Sequence, residues 1–169
     1  ARLLVMNTAL AVGMHPGKGF LEWRDFVAKS PDFDVAKLMK RSAPGISEAE
    51  AHAYAAPFPS PEFQAGVRRF PAIVPITPEM EGASLAREAA GFWSGEWSGP
   101  TFMAIGMRDP VLGPPVMRML RQVIRGCPPP MELEDAGHFV QERGDIVARG
   151  ARLPAALAEG DFVAVLDTG

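Results

Sequence analysis

Two stretches decide the reading of this chain: Thr101–Pro110, TFMAIGMRDP, and Met131–Phe139, MELEDAGHF. Thr101 to Ile105 is a short apolar run ending at a glycine, the pattern of a buried strand. Gly106-Met107-Arg108-Asp109-Pro110 follows at once, so an acid stands just past the strand's carboxyl end. Met131 to Leu133 predicts a second short strand, followed in the same way by Asp135-Ala136-Gly137-His138-Phe139. Between them Pro115 to Ile124 predicts a helix with proline in its first turn. Strand, helix and strand make one right-handed crossover unit, which sets the two strands in a parallel sheet. In open sheets of this kind ligands bind outside the carboxyl ends of the strands. Asp109 and His138 are therefore expected on one edge. There the carboxylate can accept a hydrogen bond from one ring nitrogen and leave the other as a base. Each residue alone has a plainer reading, since Asp-Pro often starts a turn and Gly-His can cap a helix. The pair at this spacing points instead to the acid–base half of a catalytic triad.

Working outward, Arg2 to Asn7 reads as a further buried strand and Ala9 to Lys18 as a loop. A signal peptide could be read into Leu3 to Val12 after Arg2, but the run is short and no small-residue cleavage site follows. From Gly19 to about Thr77 the pattern is helical and broken often. Phe20, Trp23, Phe26 and Val27 fall on one helix face, and Pro31-Asp32 ends that helix. Asp34 caps a helix from Val35 to Lys40, and Ser47 with Glu50 forms a capping box. Pro61 to Arg69 predicts another short helix, ended by Phe70-Pro71. Gly82 to Trp93 is a helix with apolar Leu85, Ala89 and Phe92. Phe139 to Leu157 is expected to be helical, with breaks at Gly144 or Gly150, and Asp161 to Asp167 to be a last strand or a tail. The expected organisation is a core strand over 1–9, a helical lid over 10–78 and the remaining α/β core over 79–169. Such a narrow sheet would leave an open edge, so further strands are expected upstream.

Composition narrows the functions. The chain has 169 residues, 47% hydrophobic and 22% charged, in the range of an ordinary globular protein. Its 17 basic and 20 acidic residues give a net charge of −3, with no basic excess for nucleic acid or an anionic membrane. No run reaches the length of a membrane span. One cysteine, Cys127, excludes an internal disulfide, and three histidines leave little room for a metal site. Cys127, Trp93, Trp97 and the nine methionines read as packing.

A nucleophile is missing from the pattern. Gly82-Ala83-Ser84-Leu85-Ala86 approaches G-x-S-x-G, but its last position is alanine and no strand precedes it. Ser84 therefore reads as a residue near a helix start.

The segments LLVMNTAL, GFLEWRDF, LMKRSAPGISEAEAHAYAAPFP, FQAGVRRFP, GPTFMAIGMRDPVLGP and GCPPPMELEDAGHFVQE resemble the C-terminal part of haloalkane dehalogenases. They run from Leu3 to Glu142. The resemblance implies an α/β-hydrolase fold, incomplete and represented by its C-terminal strands and helices, with a helical cap domain. It implies hydrolysis of carbon–halogen bonds in small haloalkanes, through an alkyl-enzyme ester, to a primary alcohol and halide. His138 matches the general base, Asp109 its orienting acid, and Trp23 one of two halide-binding tryptophans. Phe20, Phe70, Pro71, Val74, Val111 and Leu112 match apolar pocket positions. The nucleophile matches no residue of this chain, so the isolated chain is expected to be inactive. The partners implied are a small halogenated alkane, water and the halide product, with no cofactor, metal, nucleic acid or membrane. A cytoplasmic monomer is expected. Ser42 departs from a tryptophan in the family's lid, and the likeness fades after Gly150. The alternatives are an epoxide hydrolase-like enzyme, disfavoured by a single tyrosine, Tyr54, and an inactive truncated remnant.

Overall fold

The apolar runs at residues 3–6 and 101–105 become the centre of a parallel sheet in the computed structural model, which describes residues 2–150 and 163–166. Strands β1 (Arg2–Met6), β2 (Thr101–Gly106), β3 (Met131–Leu133) and β4 (Val163–Leu166) lie in the order β3-β2-β1-β4. Leu3 to Met6 pair with Thr101 to Ala104, and Ala104 to Gly106 pair with Met131 to Leu133. Leu3, Leu4, Val5 and Met6 are all buried, as expected where both faces of a parallel sheet are covered.

Alternation along the strands separates the two faces. Leu3, Val5, Met103 and Ile105 pack with Trp97, Met117, Leu120, Ile124 and Cys127. Leu4, Met6 and Ala104 face the opposite way, onto Leu133, Ala136, Val140 and Val147. Helix α6 (Pro114–Val123) covers the first face through Met117 and Leu120. Trp93 packs against that cluster and meets Trp97 edge-on at 5.1 Å, and the Trp97 indole donates to Thr101 Oγ1 at 2.8 Å.

The chain divides into two compact units, Ala1–Leu10 with Glu88–Gly169, and Ala11–Arg87. The second is helical: α1 (Lys18–Lys29), α2 (Val35–Ser42), α3 (Glu48–Ala55) and α4 (Ala65–Ile73). Asp34 caps α2 by accepting from the Lys37 amide. Ser47 and Glu50 close the capping box on α3. Helix α2 packs on α3, and α1 on α4. Gln64, in the turn Pro61–Gln64, is buried and ties that turn to the link before α2. Its amide donates to Asp32 Oδ1 and Phe33 O and accepts from the Phe33 amide. Helix α5 (Ala83–Gly95) leads from one unit into the other.

Two local expectations are corrected, one at Pro71 and one after Phe139. Pro71 lies inside α4 rather than ending it. Pro71 gives up the bond that its N–H would have made to Val67 O, its ring is buried, and the helix runs only two residues further. On α5 Leu85 and Phe92 are 69% and 42% exposed, and Ala83 is fully buried. On α1 Phe26 is 41% exposed and Val27 is buried. The segment after Phe139 is a short turn of 3₁₀ helix, Val140–Arg143, followed by α7 (Gly144–Gly150). The expected continuation to Leu157, and Asp161 and Asp167 at the ends of the last strand, lie outside the described residues. Among the described residues no helix is long and apolar enough to cross a membrane.

Candidate active site

Three strand ends set out the site. β1 delivers Asn7, β2 delivers the loop to Asp109, and β3 delivers the loop to His138. The two loops are laced together by their backbones. Met107 N–H donates to Leu133 O at 3.1 Å and Arg108 N–H to Ala136 O at 2.9 Å. The Arg108 side chain adds a bond from Nε to Glu134 O at 3.1 Å. An ion pair between Arg143 and Asp135, at 2.5 Å, ties the second loop to the turn that follows it.

Two glycines make this approach possible. A Cβ on Gly106 would lie 2.0 Å from Gly137 O, the carbonyl just before His138. A Cβ on Gly113 would lie 2.2 Å from Asp109 O. Neither neighbour is a flexible side-chain tip, so only glycine fits at either position.

The result is a tight acid–imidazole pair. His138 Nδ1 stands 2.7 Å from Asp109 Oδ2, and Nδ1 must carry the proton to donate there. The Asp109 side chain is 1% exposed and that of His138 18%. The second carboxylate oxygen, Oδ1, accepts from Val111 N–H at 2.8 Å and Leu112 N–H at 3.1 Å. Burial pushes the Asp109 carboxyl up. The hydrogen bond and charge of His138, with the amides of Val111 and Leu112, more than reverse this and hold it below the ordinary aspartate value. An ionised acid thus fixes the ring through Nδ1. Nε2 is left as the nitrogen able to take a proton.

Sequence reasoning missed Asn7. It is 1% exposed, and its Nδ2 donates to Asp109 Oδ2 at 3.0 Å. The available signal was its position just past the end of a buried strand, on the same sheet edge as Asp109.

The remaining expected site residues divide between the units. Val111 and Leu112 are half-buried in the Asp109 loop, where their amides have the role just described. Phe20 and Trp23 lie on α1, Phe70 and Pro71 on α4, and Val74 just after α4. Pro71 is buried, and Phe20, Trp23, Phe70 and Val74 are half-buried. The two helices are joined by Arg24 Nη2, which donates to Ala72 O at 3.2 Å. The Trp23 ring stacks on Phe26 at 5.7 Å and meets Phe33 edge-on at 6.4 Å. Ser42 is the last residue of α2 and half-buried. No cluster of three or more potential metal ligands stands among the described residues.

Parallel strands with an acid after one and its histidine after the next, all at the carboxyl edge, define part of an α/β-hydrolase fold. No family model matches the chain. Curated sequences do. The chain is 34% identical over 154 residues to a haloalkane dehalogenase of Psychrobacter cryohalolentis, a match covering 88% of this chain and 50% of that protein. It is 35% identical over 145 residues to one of Mycobacterium marinum, covering 84% and 48%. Among solved structures, the tetrameric haloalkane dehalogenase DpaA from Paraglaciecola agarilytica superposes with a TM-score of 0.85 at 39% identity, covering 92% of this chain and 53% of that one. The haloalkane dehalogenase DbeA from Bradyrhizobium elkani, at 22% identity and a TM-score of 0.63, shares the fold. The chain is thus a homologue of the haloalkane dehalogenases over most of its own length, and spans about half the length of the curated relatives it matches.

Proposed function

We propose that this chain carries the acid, the base and one halide-holding side chain of a haloalkane dehalogenase. The observation that carries this reading is the 2.7 Å contact between His138 Nδ1 and Asp109 Oδ2, in a chain related to enzymes of that name. The substrate is a small haloalkane and the products are a primary alcohol and halide. A carboxylate, assigned to no residue of this chain, attacks the halogen-bearing carbon. The bonding pair leaves with the halide, and an alkyl ester remains. His138 Nε2 then takes a proton from water while Asp109 steadies the imidazolium through Nδ1. The water oxygen adds to the ester carbonyl carbon. The alcohol leaves with the proton returned by His138, and the new carboxyl loses the second water proton to solvent, which regenerates the carboxylate.

The helical unit is assigned the part of the cap. Trp23 suits the departing halide because indole N–H is a donor with no acceptor to repel an anion. Phe20, Phe70, Pro71, Val74, Val111 and Leu112 are proposed to line the apolar part of the substrate site. The reaction calls for no cofactor, and the enzyme is proposed to work as a cytoplasmic monomer.

The test is halide release from 1-bromobutane or 1,2-dibromoethane by the enzyme containing this chain. The 169 residues alone are expected to release none. In the enzyme, His138→Ala is expected to give a single burst of halide, because the ester forms but is not hydrolysed. Repeated turnover by that variant would overturn the assignment of the base.

A further inference from the structure

We infer that Asn7 is the positioning residue of the Asp109–His138 pair, an inference that rests on reading that pair as acid and base. Asn7 Oδ1 accepts from the Gly106 N–H at 2.9 Å, which fixes the amide's orientation. Its Nδ2 then stands 3.0 Å from Asp109 Oδ2, 3.1 Å from Gly106 O and 3.4 Å from Gly137 O. All three are acceptors. A reversed amide would set its oxygen against each of them and its NH2 against the Gly106 N–H. One amide hydrogen goes to the carboxylate, and the other is shared by the two carbonyls. A single side chain therefore joins the end of β1, the acid loop and the residue preceding His138.

The backbone adds a second mark. Asn7 has φ 25°, and it is the one non-glycine with positive φ among the described residues. Asparagine visits this region more readily than most side chains, but the conformation is still strained. Such strain persists where surrounding contacts over-determine it, and the four hydrogen bonds of this amide do so.

The consequence falls on Asp109. Its Oδ2 receives Asn7 and His138, and its Oδ1 receives two backbone amides. With Asn7 in place each carboxylate oxygen has two donors, which favours keeping Oδ2 toward the ring. Without it, Oδ2 keeps one donor, and the bond that sets the His138 tautomer loosens.

Nitrogen NMR of the histidine-labelled 169-residue chain reads this directly. The wild-type neutral His138 ring is expected almost wholly as the Nδ1–H tautomer. Asn7→Gly removes the amide while easing the positive φ, and is expected to lower the ratio of Nδ1–H to Nε2–H about tenfold, the scale of losing one charge-assisted hydrogen bond. In the wild-type chain the Asn7 side-chain amide protons are expected to shift as His138 titrates, with the same midpoint. An unchanged tautomer ratio in folded Asn7→Gly would overturn the inference, as would wild-type amide signals indifferent to His138. If Asn7→Gly does not fold, the wild-type measurement decides alone. Lack of halide release by the whole enzyme, with both signals as expected, would overturn the proposed function and leave the positioning role of Asn7 intact.

Discussion

Gly106 and Gly137 meet with no room between them: a Cβ on the first would lie 2.0 Å from the carbonyl oxygen of the second. The acid loop and the histidine loop are therefore held at backbone contact. Gly106→Ala is expected to force them apart and destabilise the chain by about 3 kcal/mol or more, at the upper end for overpacked cores. Gly91, inside α5, has nothing within 4 Å of its would-be Cβ. Gly91→Ala is expected to stabilise by about 0.5–1 kcal/mol, from helix propensity alone. Urea unfolding of the two variants side by side checks both signs.

The ionised state of Asp109 links stability to pH. Its carboxyl lies below the ordinary aspartate value in the folded chain, so the unfolded chain binds a proton at higher pH than the folded one does. The resulting stabilisation is present above the unfolded carboxyl pKa and is lost as pH falls through the folded one. Urea midpoints measured from pH 6 downward are expected to drop less steeply in Asp109→Asn than in wild type. Equal slopes would show that Asp109 contributes nothing to acid sensitivity.

Cys127 is buried in the cluster beside α6, and burial pushes its thiol above the usual cysteine value. A neutral, covered thiol is a poor nucleophile. Reaction with a disulfide reagent is expected to be slow in the folded chain and to become fast at the urea concentration where the sheet unfolds. Rapid labelling under native conditions would contradict the packing of that face.

The capping box on α3 is exposed, so its effect is separable from the core. Ser47→Ala is expected to cost about 1 kcal/mol of stability. Ser47→Asp is expected to retain most of it, since a carboxylate can accept from the same Glu50 N–H near the positive helix end. Thermal unfolding by circular dichroism distinguishes the two.

Much of this was legible in the sequence because it was local. The strand Thr101–Gly106, the proline-started α6 and the Ser47–Glu50 box each have a signature within a few residues. Asp109 and His138 could be paired because one crossover unit separates them and the parallel geometry is fixed. For Asn7 the sequence offered its place past a strand end but not its partners, since Gly106, Asp109 and Gly137 are brought to it only by the register of β1 on β2. The Pro71 position failed because local sequence marks proline as a helix breaker, whereas its ring is buried within α4 by contacts that the local pattern does not reveal. The apolar spacing of Leu85 and Phe92 marked a helix without saying whether anything covers those side chains.

The sheet unit is interrupted in sequence, Ala1–Leu10 pairing with residues beyond Glu88. The first strand must wait for partners near positions 101 and 163, while α2 and α3 are sequence neighbours that pack on each other. Closing so large a loop is slow compared with forming nearby helical contacts. Pulsed hydrogen exchange during refolding is expected to find amides of α2 and α3 protected first and those of β1 last. The acid–imidazole geometry would then be among the final features to mature, because Asn7 rides on that late strand.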